Sequence, residues 1–550
     1  MKIKQLFRIS FVILALSTSF STKTFAQSNG FEVVKNLELI NMIYQDLDMY
    51  YVDEPAVGKL MKVGIDAMLQ ELDPYTNFYA ESNIEDYRLM TTGQYGGIGA
   101  VIRKIDDHVV ISEPYEDNPA IKAGVKAGDI ILSIDGIDMT KKSSDEVSTA
   151  LRGPKGSTIT VKLDRPGVGE KTVKITRDEI KILDVPYAGI VSEGVGYIKL
   201  NSFTQTAYSE VKKAYDDLKS QGMKKLVFDL RGNGGGLLIE AVKIVNMFVP
   251  KGQTVVSTKG RIKEENRVYT TLSNPEDTEI PVAVLVDENS ASASEIVSGS
   301  LQDLDRAVIV GNTTYGKGLV QRTMDLKYGS KIKLTIAKYY TPSGRCIQKL
   351  DYASRKDGQR PTEFADSLIS IFHTANGRVV KDARGIEPDI TIPLEMYSRL
   401  TAMLVIENVI FDFSTQYAAK HATIDSAQNF TISDELYTEF KKFAESYDFT
   451  YTTASEEMLK KVEETAEEEG YFDKESPEYK ALLALVIPSK DRDLEKFKPE
   501  IEEMLANEIV SRYYYQRGRA LQSFNYDKAL KKAIETLNNE TELEHILTGK

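Results

Sequence analysis

The 550-residue sequence has a single cysteine, Cys346. That excludes an internal disulfide framework and any zinc site built from several thiolates. Cys346 itself sits in TPSGRCIQ without local partners and reads as a small buried side chain rather than a nucleophile. Histidine is nearly as scarce. Of the four, His108 falls in a β-rich run, His373 in an insertion-like stretch, and His421 and His545 in a helix-rich tail; none is a natural triad base. No stretch carries the local excess of lysine and arginine that phosphate backbones demand, and the net charge is −13, so no nucleic-acid partner is expected. No run reaches the ~18 consecutive apolar residues of a membrane-spanning helix. The glycine-rich turn FDLRGNGGG at 228–236 lacks the following lysine of a phosphate-binding loop.

What is present begins with an address. Lys2, Lys4 and Arg8 precede the apolar run Ile9 to Phe20, and Thr24-Phe25-Ala26 ends in a small residue. This is the pattern of a signal peptide at 1–26, cleaved after Ala26 to leave a soluble product in the periplasm or another extracytoplasmic space. Residues 27–90 place apolar groups at helical spacing. Residues 91–180 alternate short β-rich runs (GAVIRKI, HVVIS, DIILSIDG, TITVKLDR) with glycine, aspartate and proline turns. Over 181–393 strands and helices alternate, which predicts βα units around a largely parallel, doubly covered sheet. From 394 to 550 helix formers dominate, and acidic tracts such as EEMLKKVEETAEEEG read as solvated helix surface.

In the α/β region, DENSASASEIVSGSLQD passes from a buried strand through small polar residues into a helix. A serine at such a junction faces outward beside helix amides able to stabilise an oxyanion, which favours Ser290, Ser292 or Ser294; helix capping is the plainer role for the same residues. With no usable histidine, a desolvated lysine is the alternative base. Lys317 in GNTTYGKGLVQ, flanked by Gly316 and Gly318, has that setting. The glycines of DLRGNGGG let backbone amides approach a developing negative charge.

SASASE, TYGKGLVQ and DLRGNGGG together resemble the catalytic core of the carboxy-terminal processing (tail-specific) peptidases. The resemblance implies a crotonase/ClpP-like α/β core with an inserted β-rich PDZ domain; with the N-terminal helices and the helical C-terminal extension read from periodicity and composition, the expected fold is a multidomain α/β chain. It implies Ser292 as nucleophile, Lys317 as base, Gln321 as the residue orienting the lysine, and an oxyanion hole from the amide of Ala293 and one from the glycine cluster, Gly235. Asp229, Arg231 and Glu295 match supporting positions. Tyr315 stands where phenylalanine is usual, the stretch from Leu350 to Arg384 is longer, and the resemblance ends near GIEPDI at 385, leaving the tail outside it.

GGIGA at 96–100 and NPAIKAGVKAGDIILSIDGIDM resemble a PDZ module, implying that Gly97, Ile98, Gly99 and Ala100 clasp the terminal carboxylate of a substrate tail. Ala100, Ile102, Val147 and Leu151 would line the pocket for its last side chain, and Arg152 would couple occupancy to Lys317 and Gln321. The expected enzyme is a serine endopeptidase needing no cofactor and no metal, acting on C-terminal tails of envelope proteins, with a homodimer or an adaptor as a further partner. Two rivals are an inert PDZ-bearing binding protein and a hydrolase using His373.

Overall fold

A computed structural model describes residues 24–81, 84–355, 359–394, 396–471 and 476–549. The expected leader lies outside them except for 24–26, which open the helix Thr24–Tyr50. No helix among the described residues is long and apolar enough to cross a membrane. The chain divides into two compact units: residues up to Glu81 with Thr323–Leu334, and Ser82–Arg322 with Thr335–Lys550.

In the first unit the helical spacing becomes the helices Thr24–Tyr50 and Val57–Gln70. Many of their apolar residues, Phe31, Leu37, Ile40 and Val63 among them, are exposed, while Leu69 is buried. LDPYTNFY ends the second helix through Asp73, whose carboxylate accepts from the amides of Tyr75 and Thr76 and the Thr76 hydroxyl. The strand Asn77–Tyr79 then pairs antiparallel with Lys331–Lys333.

The second unit opens with a β domain. Its sheet runs in the order Ala100–Ile105, His108–Pro114, Ile130–Ile134, Thr158–Arg165, Gly169–Thr176, so Ala100–Ile105 is an edge strand. Val109, Ile111, Ile159 and Val147 fill its core. The helix Ser144–Leu151 starts at a reciprocal cap, the Glu146 amide donating to Ser143 Oγ and the Ser143 amide to the Glu146 carboxylate.

The α/β region forms a six-stranded sheet in the order Tyr187–Ser192, Val195–Lys199, Lys225–Asp229, Val282–Val286, Val308–Gly311, Ile390–Thr391. The first pair is antiparallel and the rest are parallel. Side chains alternate between its faces, and both faces are apolar. Phe228, Val284 and Ile309 meet the helices Ala207–Ser220, Leu238–Asn246 and Ala293–Asp303. Val227, Leu285 and Val310 meet Leu530, Ala533 and Leu537 of the helix Lys528–Asn538. The second face is thus closed by the far end of the tail.

The tail begins as a helical cluster around Leu400, Phe413, Phe440, Leu505 and Ile509. The acidic tract forms the helix Ala454–Glu469, which buries no residue. The helix Lys498–Ser523 breaks at Tyr515, which has φ 53° and ψ −151°. Before the break its residues pack in the helical cluster; after it, Ala520, Leu521 and Phe524 reach the sheet. Arg519 pairs with Glu113 of the β domain at 3.2 Å, and the guanidinium groups of Arg103 and Arg512 lie 4.0 and 4.5 Å from the centre of the Phe411 ring.

Candidate active site

The strand Val282–Val286 delivers the chain to a turn that enters the helix Ala293–Asp303 at Ser292. An ordinary N-cap residue has extended backbone angles. Ser292 instead has φ 55° and ψ −110°, a strained conformation that persists only where surrounding contacts enforce it. The three candidate serines separate cleanly. Ser290 and Ser294 are fully buried, their hydroxyls donating to Leu230 O and Asn233 O, both at 2.9 Å. Ser292 is the one of the three that reaches the surface. Ala293, first residue of the helix, has an amide for which the helix offers no acceptor.

Lys317 is presented by a loop whose four successive amides all have acceptors. Tyr315 N–H donates to Ser290 O (3.1 Å), Gly316 N–H to Glu295 Oε1 (2.7 Å), Lys317 N–H to Glu295 Oε2 (2.9 Å) and Gly318 N–H to Gln348 Oε1 (2.8 Å). Gly316 has φ +83°, and a Cβ there would come within 2.4 Å of Lys349 Cβ, so the flanking glycine is a steric requirement. Gln321 lies on the next strand, its side-chain amide donating to Thr335 Oγ1 at 3.1 Å.

Glu295 joins the serine turn to this loop. Fully buried, it accepts from the Ser292 amide (2.8 Å), the Thr314 hydroxyl (2.6 Å) and the two loop amides. Burial raises its carboxyl above the ordinary range, while these hydrogen bonds oppose the rise. Tyr339, which sequence reasoning missed, makes a second clamp. Its hydroxyl donates to Ser292 O at 3.2 Å and its amide to Gly318 O at 2.9 Å.

The glycine loop lies against the serine. Gly235 has φ +99°, and a Cβ there would lie 2.8 Å from Ser292 Cβ and 2.9 Å from the Ala293 nitrogen. Its amide donates to Asn233 Oδ1 at 2.8 Å, so as an oxyanion donor it would have to exchange that partner. Asn233, also missed, accepts from the Ala291 amide at 3.0 Å and from Ser294, and donates to Leu200 O. Asp229, at the end of its strand, accepts from Arg231, Lys199 and the Tyr197 hydroxyl. Burial alone would raise its carboxyl; the Arg231 and Lys199 cations overcome this and hold it well below the usual carboxylate range.

In the β domain, Gly97 pairs with Asp178, buried Ile98 accepts from the Ala120 amide, and Gly99, at φ +74°, accepts from the Tyr115 amide. Ala100 opens the edge strand, with Val147 and Leu151 buried in the core beside it. The Arg152 guanidinium lies 5.4 Å from the Tyr95 ring centre. His373 is exposed in a two-stranded hairpin with Val379–Lys381. Burial pushes the Cys346 thiol up, away from a reactive thiolate.

Three family models match: "Peptidase family S41" at residues 194–353, "PDZ domain" at 96–176, and "Probable PDZ-protease, C-terminal helical domain" at 400–537. The third corrects the expectation that the tail falls outside the family pattern. The carboxy-terminal-processing protease of Bartonella bacilliformis is 36% identical over 350 residues, 63% of this chain and 80% of the relative. A "Probable CtpA-like serine protease" of Staphylococcus epidermidis is 37% identical over 315 residues, 57% of this chain and 63% of that protein, so under two thirds of its length is spanned. Among solved structures, the photosystem II D1 C-terminal processing protease shows 29% identity, covering 64% of this chain and 91% of that one, with a TM-score of 0.36. By its identity to the Bartonella enzyme across most of that protein's length, and by its S41 and PDZ segments, this chain belongs to the carboxy-terminal-processing proteases, serine-type peptidases of family S41.

Proposed function

We propose that the protein cleaves polypeptides by a Ser292–Lys317 dyad through an acyl-enzyme, after its PDZ domain has taken hold of the substrate's C-terminal tail. The observation that carries this is the shared carboxylate of Glu295, which binds the backbone of both residues and so fixes one against the other. Neutral Lys317 takes the proton from Ser292 Oγ as the oxygen attacks the scissile carbonyl. The oxyanion forms beside the Ala293 amide, with the glycine loop at Gly235 as second donor. The lysine ammonium then gives its proton to the leaving amine, and water, deprotonated by the lysine, hydrolyses the ester. Gln321 orients the lysine from the adjoining strand. Asp229 and Arg231 support the glycine loop.

An incoming tail adds as a strand to Ala100–Ile105, its carboxylate at Gly97 to Ala100, and Arg152 couples occupancy to Lys317 and Gln321. The edge position of that strand supports this reading. The positive n-region, apolar run and Ala26 support export, with envelope proteins as substrates and the periplasm as the site of action. The exposed apolar residues of the helices Thr24–Tyr50 and Val57–Gln70 support a second copy of the chain or an adaptor as a partner.

The deciding experiment incubates wild type, Ser292→Ala, Lys317→Ala and His373→Ala with an extended protein substrate and sequences the new termini. Turnover is expected from wild type and His373→Ala alone. Cleavage by folded Ser292→Ala would refute the nucleophile, and loss in His373→Ala would refute the lysine base. Tail binding without turnover by wild type would show a binding protein instead.

A further inference from the structure

The tail places one carboxylate at the back of the candidate active site. Asp527 stands at the start of the helix Lys528–Asn538, where its Oδ1 caps the helix by accepting from the Leu530 amide at 2.9 Å. The same carboxylate faces Arg231 fork to fork, with Nη1 donating to Oδ1 at 3.0 Å and Nη2 to Oδ2 at 2.6 Å. The other edge of the guanidinium donates to Asp229, through Nε at 3.1 Å and Nη2 at 2.6 Å. Side-chain exposure is 26% for Arg231 and 10% for Asp527, so the pair is shielded far more than an ordinary surface ion pair. Arg231 is therefore held on two sides, by the strand it follows and by a helix some 300 residues later in the chain.

From Arg231 the connection to Ser292 is short. Gly232 donates its amide to Asp287 Oδ1 at 2.9 Å, Asn233 accepts from Ala291 and Ser294, and Gly235 lies so near Ser292 and Ala293 that a Cβ on it would come within 2.8 Å of Ser292 Cβ and 2.9 Å of the Ala293 nitrogen. Asp229 alone can hold one edge of a guanidinium, about which the group can swing; a second bidentate acceptor removes that freedom. The helix bearing Asp527 is itself pinned, since Leu530, Ala533 and Leu537 are buried against the sheet.

We propose that Asp527 is a positioning residue for peptide-bond cleavage, acting through Arg231 on the glycine loop behind Ser292. This rests on the assignment of Ser292 as nucleophile. It makes the C-terminal extension part of the catalytic core: a chain with an intact dyad and PDZ domain depends on a carboxylate from the tail to set the oxyanion side of the site.

Asp527→Asn keeps the shape and the helix cap, since asparagine caps as well as aspartate, but loses the charged fork. In the full-length protein, kcat on a tail peptide is expected to fall about ten- to hundredfold, the cost of a small misplacement at the reacting centre. KM, affinity for a non-cleavable tail peptide and the melting temperature stay close to wild type, and Asp527→Glu recovers part of the rate. In an Arg231→Lys background, Asp527→Asn adds little further loss. Unchanged kcat in Asp527→Asn overturns the proposal. So does a loss that tracks the unfolded fraction, or full additivity with Arg231→Lys. Turnover by folded Ser292→Ala would instead refute the nucleophile assignment, whatever Asp527→Asn does.

Discussion

Ser292 and Lys317 donate their backbone amides to the same oxygen, Oε2 of Glu295, at 2.8 and 2.9 Å. In Glu295→Gln that oxygen is kept or replaced by an NH2, according to how the amide settles. Either way one face presents donors to donors. Leaving a buried amide unsatisfied costs about 1–3 kcal/mol. A stability loss of that order in urea unfolding is expected, with a drop in kcat larger than any change in KM. A variant with wild-type kcat would show that this carboxylate does not set the site.

Tyr339→Phe removes one hydroxyl from a buried ring and nothing else. The lost bond to Ser292 O, 3.2 Å long, is worth about 1 kcal/mol in a neutral pair. The strained turn should loosen, lowering kcat about severalfold with the fold intact. The check is kcat and melting temperature side by side; a fall in melting temperature without a fall in kcat would assign Tyr339 to stability alone.

Acid should act through Asp229. Its folded carboxyl lies below the ordinary range, so its contribution to stability is present above the unfolded value of about 3.9 and is lost as pH falls through the folded value. The stability gap between wild type and Asp229→Asn is expected to be widest near neutrality and to close in strong acid. Glu295 runs the other way: burial raises its carboxyl, so ionising it costs the folded state increasingly as pH climbs above the ordinary glutamate range. Urea midpoints from pH 3 to 7, an interval chosen around these ordinary values, test both signs. A gap that widened in acid would contradict the Asp229 assignment.

Leu530 is 2% exposed and packs on the sheet from the tail. Leu530→Ala should cost about 2–5 kcal/mol. Because the helix closes one face of the core sheet, core and tail should melt in one transition that shifts to lower temperature. A separate early tail transition, with the core unmoved, would show that the sheet does not need this cover.

Much of this was legible in the sequence. Strand-helix alternation announced a sheet with two apolar faces, since runs such as PVAVLVD and AVIVG leave no polar side, and the resemblance singled out Ser292, Lys317 and the glycine turn. The acidic tract was rightly read as solvated helix. The first face of the sheet was equally readable, because its helices follow their strands directly.

What closes the second face was not legible. Hydrophobic periodicity shows that a surface must be covered, and it carries no information about a partner 245 residues further on, as Leu530 is from Leu285. The choice among three serines was also tertiary: Ser290 and Ser294 spend their hydroxyls on Leu230 O and Asn233 O, carbonyls about 60 residues away. Tyr339, Asn233 and Asp527 lay unnoticed for the same reason. By itself the sequence determined which residue types are available for acyl chemistry and where strands, helices and turns fall, because those depend on local propensity and periodicity. Only the tertiary structure decided which of them meet, because the hydrogen bonds that join Ser292, Lys317, Arg231 and Asp527 exist once distant segments are folded against one another.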